Sequence, residues 1–220
     1  MRLIKIVGLP IILFGLIMDK AQGQMHSSDT DHSDHSITIL AENYAFQAPD
    51  EIPSGWTTIE FTMKLPPGTY VMECYVKTED GELHAMEGMV RELIVTEERS
   101  EALRPKADID ITLSNYEMDI EGELTPGQHT VAVHFEEGHY HNVHVARLGA
   151  EGSVQDVLHW LPWLEREGLW PPAPATLLGG KNILPEGETG YFTVDLEPGR
   201  YLFVSEITGH LGVMREVVVK

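Results

Sequence analysis

The chain repeats one pattern of turns and strands, and this internal repeat constrains its fold more than any other feature. Residues 65–92 run from Leu-Pro-Pro-Gly-Thr-Tyr to Gly-Met-Val-Arg-Glu, and residues 196–216 run from Leu-Glu-Pro-Gly-Arg-Tyr to Gly-Val-Met-Arg-Glu. Self-similarity of this kind indicates two related structural units in one chain. The Pro-Gly turns between runs rich in Val, Thr, Tyr and Phe predict that both units consist of strands.

The two units differ in length. The match extends upstream, from 43–55 in the first copy to 115–127 in the second. Only three residues then lie between Phe61 and Leu65, where the second copy carries roughly sixty more. We therefore predict a truncated unit at 37–96, a charged linker at 97–108 and a complete domain at 109–220.

The N-terminus has the organisation of a secretory signal. Arg2 and Lys5 precede an apolar run at 6–18, and Ala21-Gln22-Gly23 follows as a small-residue cleavage site. The run is short for a membrane span. We predict a signal peptide at 1–23, a periplasmic or secreted mature protein without stable membrane insertion, and a disordered tail at 24–36 that contains His26, His32 and His35.

The net charge of −20 excludes some partners and favours others. Nucleic acids and anionic membranes attract basic surfaces, so neither is expected to bind. Metal cations fit better. A protein partner or a homodimer stays open, because a truncated unit with unpaired sheet edges should dock onto the second unit or onto another chain.

The predicted fold is all-β, a Greek-key antiparallel sandwich preceded by a partial copy of the same unit. Strands are expected at 37–46, 55–62, 69–77 and 89–96 in the first unit, and at 109–118, 128–135, 141–148, 191–195, 200–207 and 213–220 in the second. Alternation along 69–77 places Met72, Cys74 and Val76 on one face, the apolar one. One helix is expected at 153–167, where apolar residues fall on one face and Ser153 occupies a capping position, with a break near Pro162. Tryptophans 160, 163 and 170 follow among prolines, and we expect them to cover the sandwich.

The strands and the residues of the last loops resemble the cupredoxin (blue-copper) superfamily, in particular exported bacterial proteins with one or two such domains. The resemblance implies copper ligands: a histidine from a middle strand, and a cysteine, a histidine and a methionine from the final loop. Thiolate, imidazole and thioether suit copper because they are soft donors. The implied metal ligands in this sequence are Cys74, His84, Met89, His139, His141, His210 and Met214.

Neither copy holds a complete ligand set. The first has Cys74, His84 and Met86 or Met89 but lacks the middle strand, and the second has Ser205 where the cysteine is expected. Three alternatives follow: the residues only pack the core, copper binds within one copy, or histidines of the second copy complete a hybrid site around Cys74.

No catalytic motif stands out in the sequence, so an enzyme is not expected. The favoured function is a non-enzymatic, exported cupredoxin-like protein that binds or carries copper. The alternative is a metal-free β-sandwich that binds protein or glycan through the tryptophan region.

Overall fold

The computed structural model of the chain describes residues 2–5, 36–37, 40–42, 45–47, 50–59, 61–99, 103–138 and 141–220. Most of the predicted signal peptide and tail therefore lies outside the described residues. Among the described residues, no helix has the length and apolarity that a bilayer crossing requires.

The first part of the chain forms a mixed sheet and a small hairpin. The strands are β1 (Arg2–Lys5), β2 (Ser36–Ile37), β3 (Leu40–Glu42), β4 (Ala45–Gln47), β5 (Glu51–Ile59), β6 (Phe61–Leu65), β7 (Gly68–Glu73) and β8 (Val90–Arg99). Strand β7 pairs with β8 through antiparallel bonds, and β8 pairs with β5 in parallel. Strands β1, β2 and β6 extend the sheet, while β3 and β4 form the hairpin.

The second part forms a sandwich of two four-stranded sheets, which confirms the predicted all-β class. The elements are β9 (Ile109–Ser114), β10 (Glu117–Glu121), β11 (Gly127–Glu137), β12 (Val143–Leu148), α1 (Val154–Trp160), β13 (Thr176–Lys181), β14 (Thr189–Leu196), β15 (Gly199–Val204) and β16 (Met214–Val219). The outer sheet has the order β10-β9-β11-β14, and the central sheet has the order β13-β12-β15-β16.

Three elements differ in detail from the sequence prediction. One strand expected at 109–118 is a hairpin, because Asn115 and Tyr116 have positive φ and form its two-residue turn. The helix ends at its C-cap Leu161, directly before Pro162, instead of continuing to residue 167. Strand β13 was not predicted. Its Gly-Gly at 179–180 lowers strand propensity, and only pairing with β12 identifies it.

The central sheet is buried on both faces. Val145 and Phe203 point into the sandwich core, which lies between the central sheet and the outer sheet. Ala146 and Leu202, their neighbours in sequence, point the other way and pack against the first unit. Alternation along a strand accounts for this, because successive side chains leave opposite faces. The molecule therefore has three layers, in which β7 and β8 cover the second face of the central sheet.

The second core, which we call the interface core, lies between the β7–β8 hairpin, α1 and the central sheet. The first unit contributes Tyr70, Met72, Cys74, Val76, Met89, Leu93 and Val95, all buried. The common side of Met72, Cys74 and Val76 was predicted from strand alternation, and these three residues do share this core. The contact between β7–β8 and the central sheet is thus made within one chain.

The tryptophans face this core. Trp163 packs edge-on against Tyr75 with ring centroids 4.6 Å apart. The indole N–H of Trp160 donates to the carbonyl of Trp170. The ring of Trp170 lies against Gly81, where an added Cβ would come within 3.0 Å of it. These contacts support the expectation that the tryptophan region covers the structure.

A buried histidine ties the end of the predicted linker to the sandwich. His129 Nδ1 is 2.6 Å from Asp108 Oδ2, and His129 Nε2 is 2.7 Å from the Thr125 carbonyl oxygen. A carbonyl only accepts, and so does a carboxylate, so both ring nitrogens must carry protons. Burial opposes this charge, but the bonds to Thr125 and Asp108 outweigh it and raise the pKa of His129.

We predict that removing a single side chain from the interface core destabilises the whole chain. Leu93 is fully buried, whereas the next residue, Ile94, is 37% exposed on the opposite face of β8. Leu93→Ala should reduce the free energy of unfolding by about 2–5 kcal/mol, because it leaves a cavity. Urea unfolding followed by tryptophan fluorescence measures this, with Ile94→Ala as the matched control. Two separate transitions, with only one shifted, would contradict a shared core.

We also predict that stability depends on the protonation of His129. Its folded pKa is raised, so its contribution is fully present below the unfolded value of about 6.5 and is lost as pH rises through the folded value. The wild type should therefore lose stability relative to His129→Gln over that interval. Urea midpoints measured for both proteins from pH 5 to pH 9 test this, and a constant difference between them would refute it.

Candidate metal centre

The loop from Ser205 to Val213 closes the central sheet beside the start of β12. Ser205 N–H donates to the Val213 carbonyl at 2.9 Å, and Val213 N–H donates to the Thr208 carbonyl at 3.2 Å. Gly212 completes the turn with φ of 105°, a conformation that favours glycine. His141 and Asn142, which directly precede β12, lie against this loop.

A chain of side-chain hydrogen bonds fills this end of the sandwich. Ser205 Oγ is 3.1 Å from Asn142 Oδ1 and 2.9 Å from Thr208 Oγ1, and Thr208 Oγ1 is 3.2 Å from His141 Nδ1. All four side chains are buried. Sequence analysis identified His141 and Ser205 here but missed Asn142 and Thr208, because a buried polar network is recognisable only once its members are neighbours.

The direction of every bond in the chain follows from one backbone group. Glu206 N–H donates to Asn142 Oδ1 at 2.7 Å, so this atom is an acceptor. Ser205 must then donate its hydroxyl proton to Asn142 and accept from Thr208. Thr208 has no second proton, so His141 Nδ1–H donates to it. The Nδ1 lone pair of His141 is therefore not available to a metal in this arrangement.

A buried carboxylate lies behind the hydroxyl chain. Glu206 accepts from Asn142 Nδ2 at 3.2 Å and from the Trp163 backbone N–H at 3.3 Å. His144 Nε2 is 3.5 Å from Glu206 Oε2, and both side chains are almost fully buried. No expectation for Glu206 came from the sequence. It follows Ser205 at the end of an apolar strand, which was the one available signal.

Two of the other three implied ligands of the second unit, His210 and Met214, lie apart from His141. His210 is exposed on a short 3-10 turn, Gly209–Leu211. Met214 pairs with Val204, and both contact the interface core, whereas the preceding Val213 contacts the sandwich core. Met214 therefore faces away from the side on which Val213 packs. His139 lies outside the described residues.

The corresponding loop of the first unit has the same backbone hydrogen bonds. Cys74 N–H donates to the Met89 carbonyl at 3.2 Å, and Met89 N–H donates to the His84 carbonyl at 2.9 Å. Cys74 thus corresponds to Ser205, and His84 corresponds to Thr208. The same correspondence places Met86 opposite His210, in agreement with the Gly-x-x-Arg-Glu match in the sequence.

In the first unit the structure brings the predicted ligands together. Cys74 Sγ is 3.6 Å from His84 Nδ1. Cys74 and Met89 are buried in the interface core, and His84 is half-buried at its rim. Burial raises the pKa of the Cys74 thiol to about 11, although the N–H of Val76 opposes the shift. Burial also lowers the pKa of His84, partly offset by the charge of Glu87.

The two units differ in how well they fit copper. The second unit offers hydroxyl groups in place of a thiolate, and Thr208 Oγ1 lies 3.2 Å from His141 Nδ1, so this unit does not fit. The first unit offers a thiol and an imidazole side by side, with a buried thioether in the same core, and these donors fit a soft metal ion. Counting His, Cys, Asp and Glu alone, the described residues contain no group of three that could hold a metal.

No protein-family model matches the chain, and no curated protein matches it. Solved structures similar to it include reduced auracyanin from Roseiflexus castenholzii, at 18% identity and TM-score 0.40 over 53% of this chain and 99% of that one. Auracyanin B matches at 17% identity and TM-score 0.37 over 54% and 93%. Auracyanin A, a blue copper protein from Chloroflexus aurantiacus, matches at 19% identity and TM-score 0.35 over 50% and 99%.

We predict that the hydroxyl of Thr208 stabilises the loop. Thr208→Val keeps the shape of the side chain but leaves His141 Nδ1–H and Ser205 Oγ without this partner in a buried site. The expected cost is about 1–3 kcal/mol of unfolding free energy, measured by urea denaturation. Thr176→Val, the same change at an exposed position on β13, should shift stability by less than about 0.5 kcal/mol. Equal effects at the two sites would contradict a hydrogen-bonded role for Thr208.

Proposed function

We propose that this protein is an exported, non-enzymatic β-sandwich protein that binds one copper ion as Cu(I) through Cys74 and His84, with Met89 beside them. The separation of 3.6 Å between Cys74 Sγ and His84 Nδ1 carries the proposal. Metal bonds of about 2.3 Å to thiolate and about 2.0 Å to imidazole, as at zinc, put the two donors about 3.5 Å apart at a tetrahedral angle. The pair could therefore bind one ion with little rearrangement.

The surroundings favour Cu(I) over a doubly charged ion. Cys74 and Met89 lie among aliphatic and aromatic side chains of the interface core. Burying a net charge there is costly, whereas Cu(I) together with a thiolate is neutral. Sulfur ligands also select Cu(I) over harder cations. Binding must displace the thiol proton, as it does wherever cysteine binds a metal.

The same surroundings argue against a catalytic cysteine. A nucleophilic cysteine needs a thiolate and access to substrate. Cys74 is fully buried, and burial raises its pKa to about 11, so it is a thiol at neutral pH. Contact with His84 alone does not make this pair a catalytic one. Export is supported by the predicted signal peptide, and the lone cysteine leaves no partner for an intramolecular disulfide.

A metal-free sandwich that binds protein or glycan is the second candidate. The hydrogen-bonded end of the second unit favours it, since hydroxyl groups there occupy the loop from which copper ligands were expected. The inward-facing tryptophans weaken its proposed contact surface, because Trp160 and Trp163 pack against the interface core. The two candidates differ in whether Cys74 matters for copper uptake.

Titration of the reduced protein with Cu(I) against a chromogenic chelator tests the proposal. The histidines at 26, 32 and 35 should first be replaced by glutamine, to remove any contribution of the predicted tail. We expect one equivalent of Cu(I), with Cys74→Ser weakening binding by more than about a hundredfold. That exceeds the loss typical of changing a residue that only hydrogen-bonds to a metal ligand. His84→Gln should also weaken it.

The matched control is His210→Gln, because His210 is exposed and occupies the position equivalent to Met86 in the other loop. This variant should bind Cu(I) as the parent does. Unchanged copper uptake by folded Cys74→Ser would refute the proposed site. Absence of uptake by the parent would leave the metal-free candidate.

A further inference from the structure

The two closing loops carry different side chains on matching backbones. Cys74 and Ser205 each donate their N–H across the loop, to Met89 and Val213 respectively. His84 and Thr208 also correspond, since their carbonyls accept from Met89 and Val213. The side chain of His84 lies 3.6 Å from that of Cys74, and the side chain of Thr208 lies 2.9 Å from that of Ser205. The first unit thus has a cysteine–histidine pair where the second has a hydroxyl pair.

The second unit holds a histidine for which the first has no room. His141 precedes β12, and in the first unit only three residues separate Phe61 from Leu65, so an equivalent strand cannot form. His141 Nδ1 lies 3.2 Å from Thr208 Oγ1. This oxygen occupies the position that corresponds to His84 in the first unit. The positions of a cysteine and two histidines are therefore all present, but in different units.

We propose that the chain divides one His2Cys ligand set between its two units and that the hydroxyls of Ser205 and Thr208 close the second position to metal. The ligand types are taken from the Cys74–His84 pair, so the inference rests on the proposed function. Two imidazoles and a thiolate form a site for Cu(II). In the second unit the hydroxyls instead satisfy His141 Nδ1–H and Asn142 Oδ1 in one directed chain of hydrogen bonds.

The two hydroxyls supply hydrogen-bond partners for the polar groups that face the loop. A cavity left by a missing metal would leave buried donors and acceptors without hydrogen-bond partners, which is costly. Ser205 and Thr208 avoid this by accepting from His141 and donating to Asn142. Asn142 in turn accepts from Glu206 N–H and donates to its carboxylate. The loop of the second unit thus has the closing backbone bonds of the Cys74 loop, but its side chains hydrogen-bond to one another where a metal would lie.

Ser205→Cys in a Cys74→Ser background tests this, with the tail histidines at 26, 32 and 35 replaced by glutamine. The pair of changes moves the single thiol from the first position to the second. Cys74→Ser replaces a sulfur by an oxygen, and Ser205→Cys replaces an oxygen by a sulfur. We expect one equivalent of Cu(II) and an intense visible absorption band from thiolate-to-copper charge transfer. Adding His141→Gln should abolish the band, and adding Thr208→His should tighten binding by at least about tenfold.

Two results would overturn the inference. One is copper uptake by the Cys74→Ser parent that His141→Gln removes, since the second position would then already be open. The other is a colourless, copper-free Ser205→Cys variant whose near-ultraviolet circular dichroism matches the parent. If that variant does not fold, Thr208→His in the same background carries the test, through a two-imidazole site that His141→Gln should destroy. Failure of the Cys74 site itself is seen separately, in the Cu(I) titration of the protein that retains Cys74.

Discussion

Burial of the central sheet on both faces is the constraint on which the rest of the structure depends. Strands β12 and β15 alternate between two cores, so that Val145 and Phe203 pack into the sandwich while Ala146 and Leu202 pack against the first unit. A sandwich exposing the second set would present a large apolar face to water. Strands β7 and β8 therefore cover the second face of the central sheet, and their side chains share one buried core with it.

This arrangement places the two candidate sites in different environments. The loop of the first unit ends in the interface core, where Cys74 is surrounded by apolar side chains and remains a protonated thiol. The loop of the second unit ends beside His141, among polar side chains that hydrogen-bond to one another. The difference arises largely from the neighbours of the loops, because the two loops share the main-chain hydrogen bonds that close them.

The internal repeat of the sequence and the proposed copper site are linked by the middle strand, for which the first copy has no residues. Without it, the first unit cannot supply a histidine of its own from that strand, and its cysteine and histidine lie together at the edge of an apolar layer. With it, the second unit has His141 but carries Ser205 in place of cysteine. A pair of donors in a buried, neutral setting favours a singly charged soft ion, whereas a hydroxyl chain favours no metal at all.

The sequence by itself determined the all-β class, most strands, the break of the helix at Pro162 and the inward side of Cys74. These depend on local periodicity and turn residues, which act over a few positions. Only the tertiary structure decided that β13 exists, that Met214 faces away from Val213, and that Asn142, Thr208 and Glu206 form one network with His141. The reason is physical: a hydrogen bond between Asn142 and Glu206 joins residues 64 positions apart, and no local pattern encodes which distant polar groups will become neighbours.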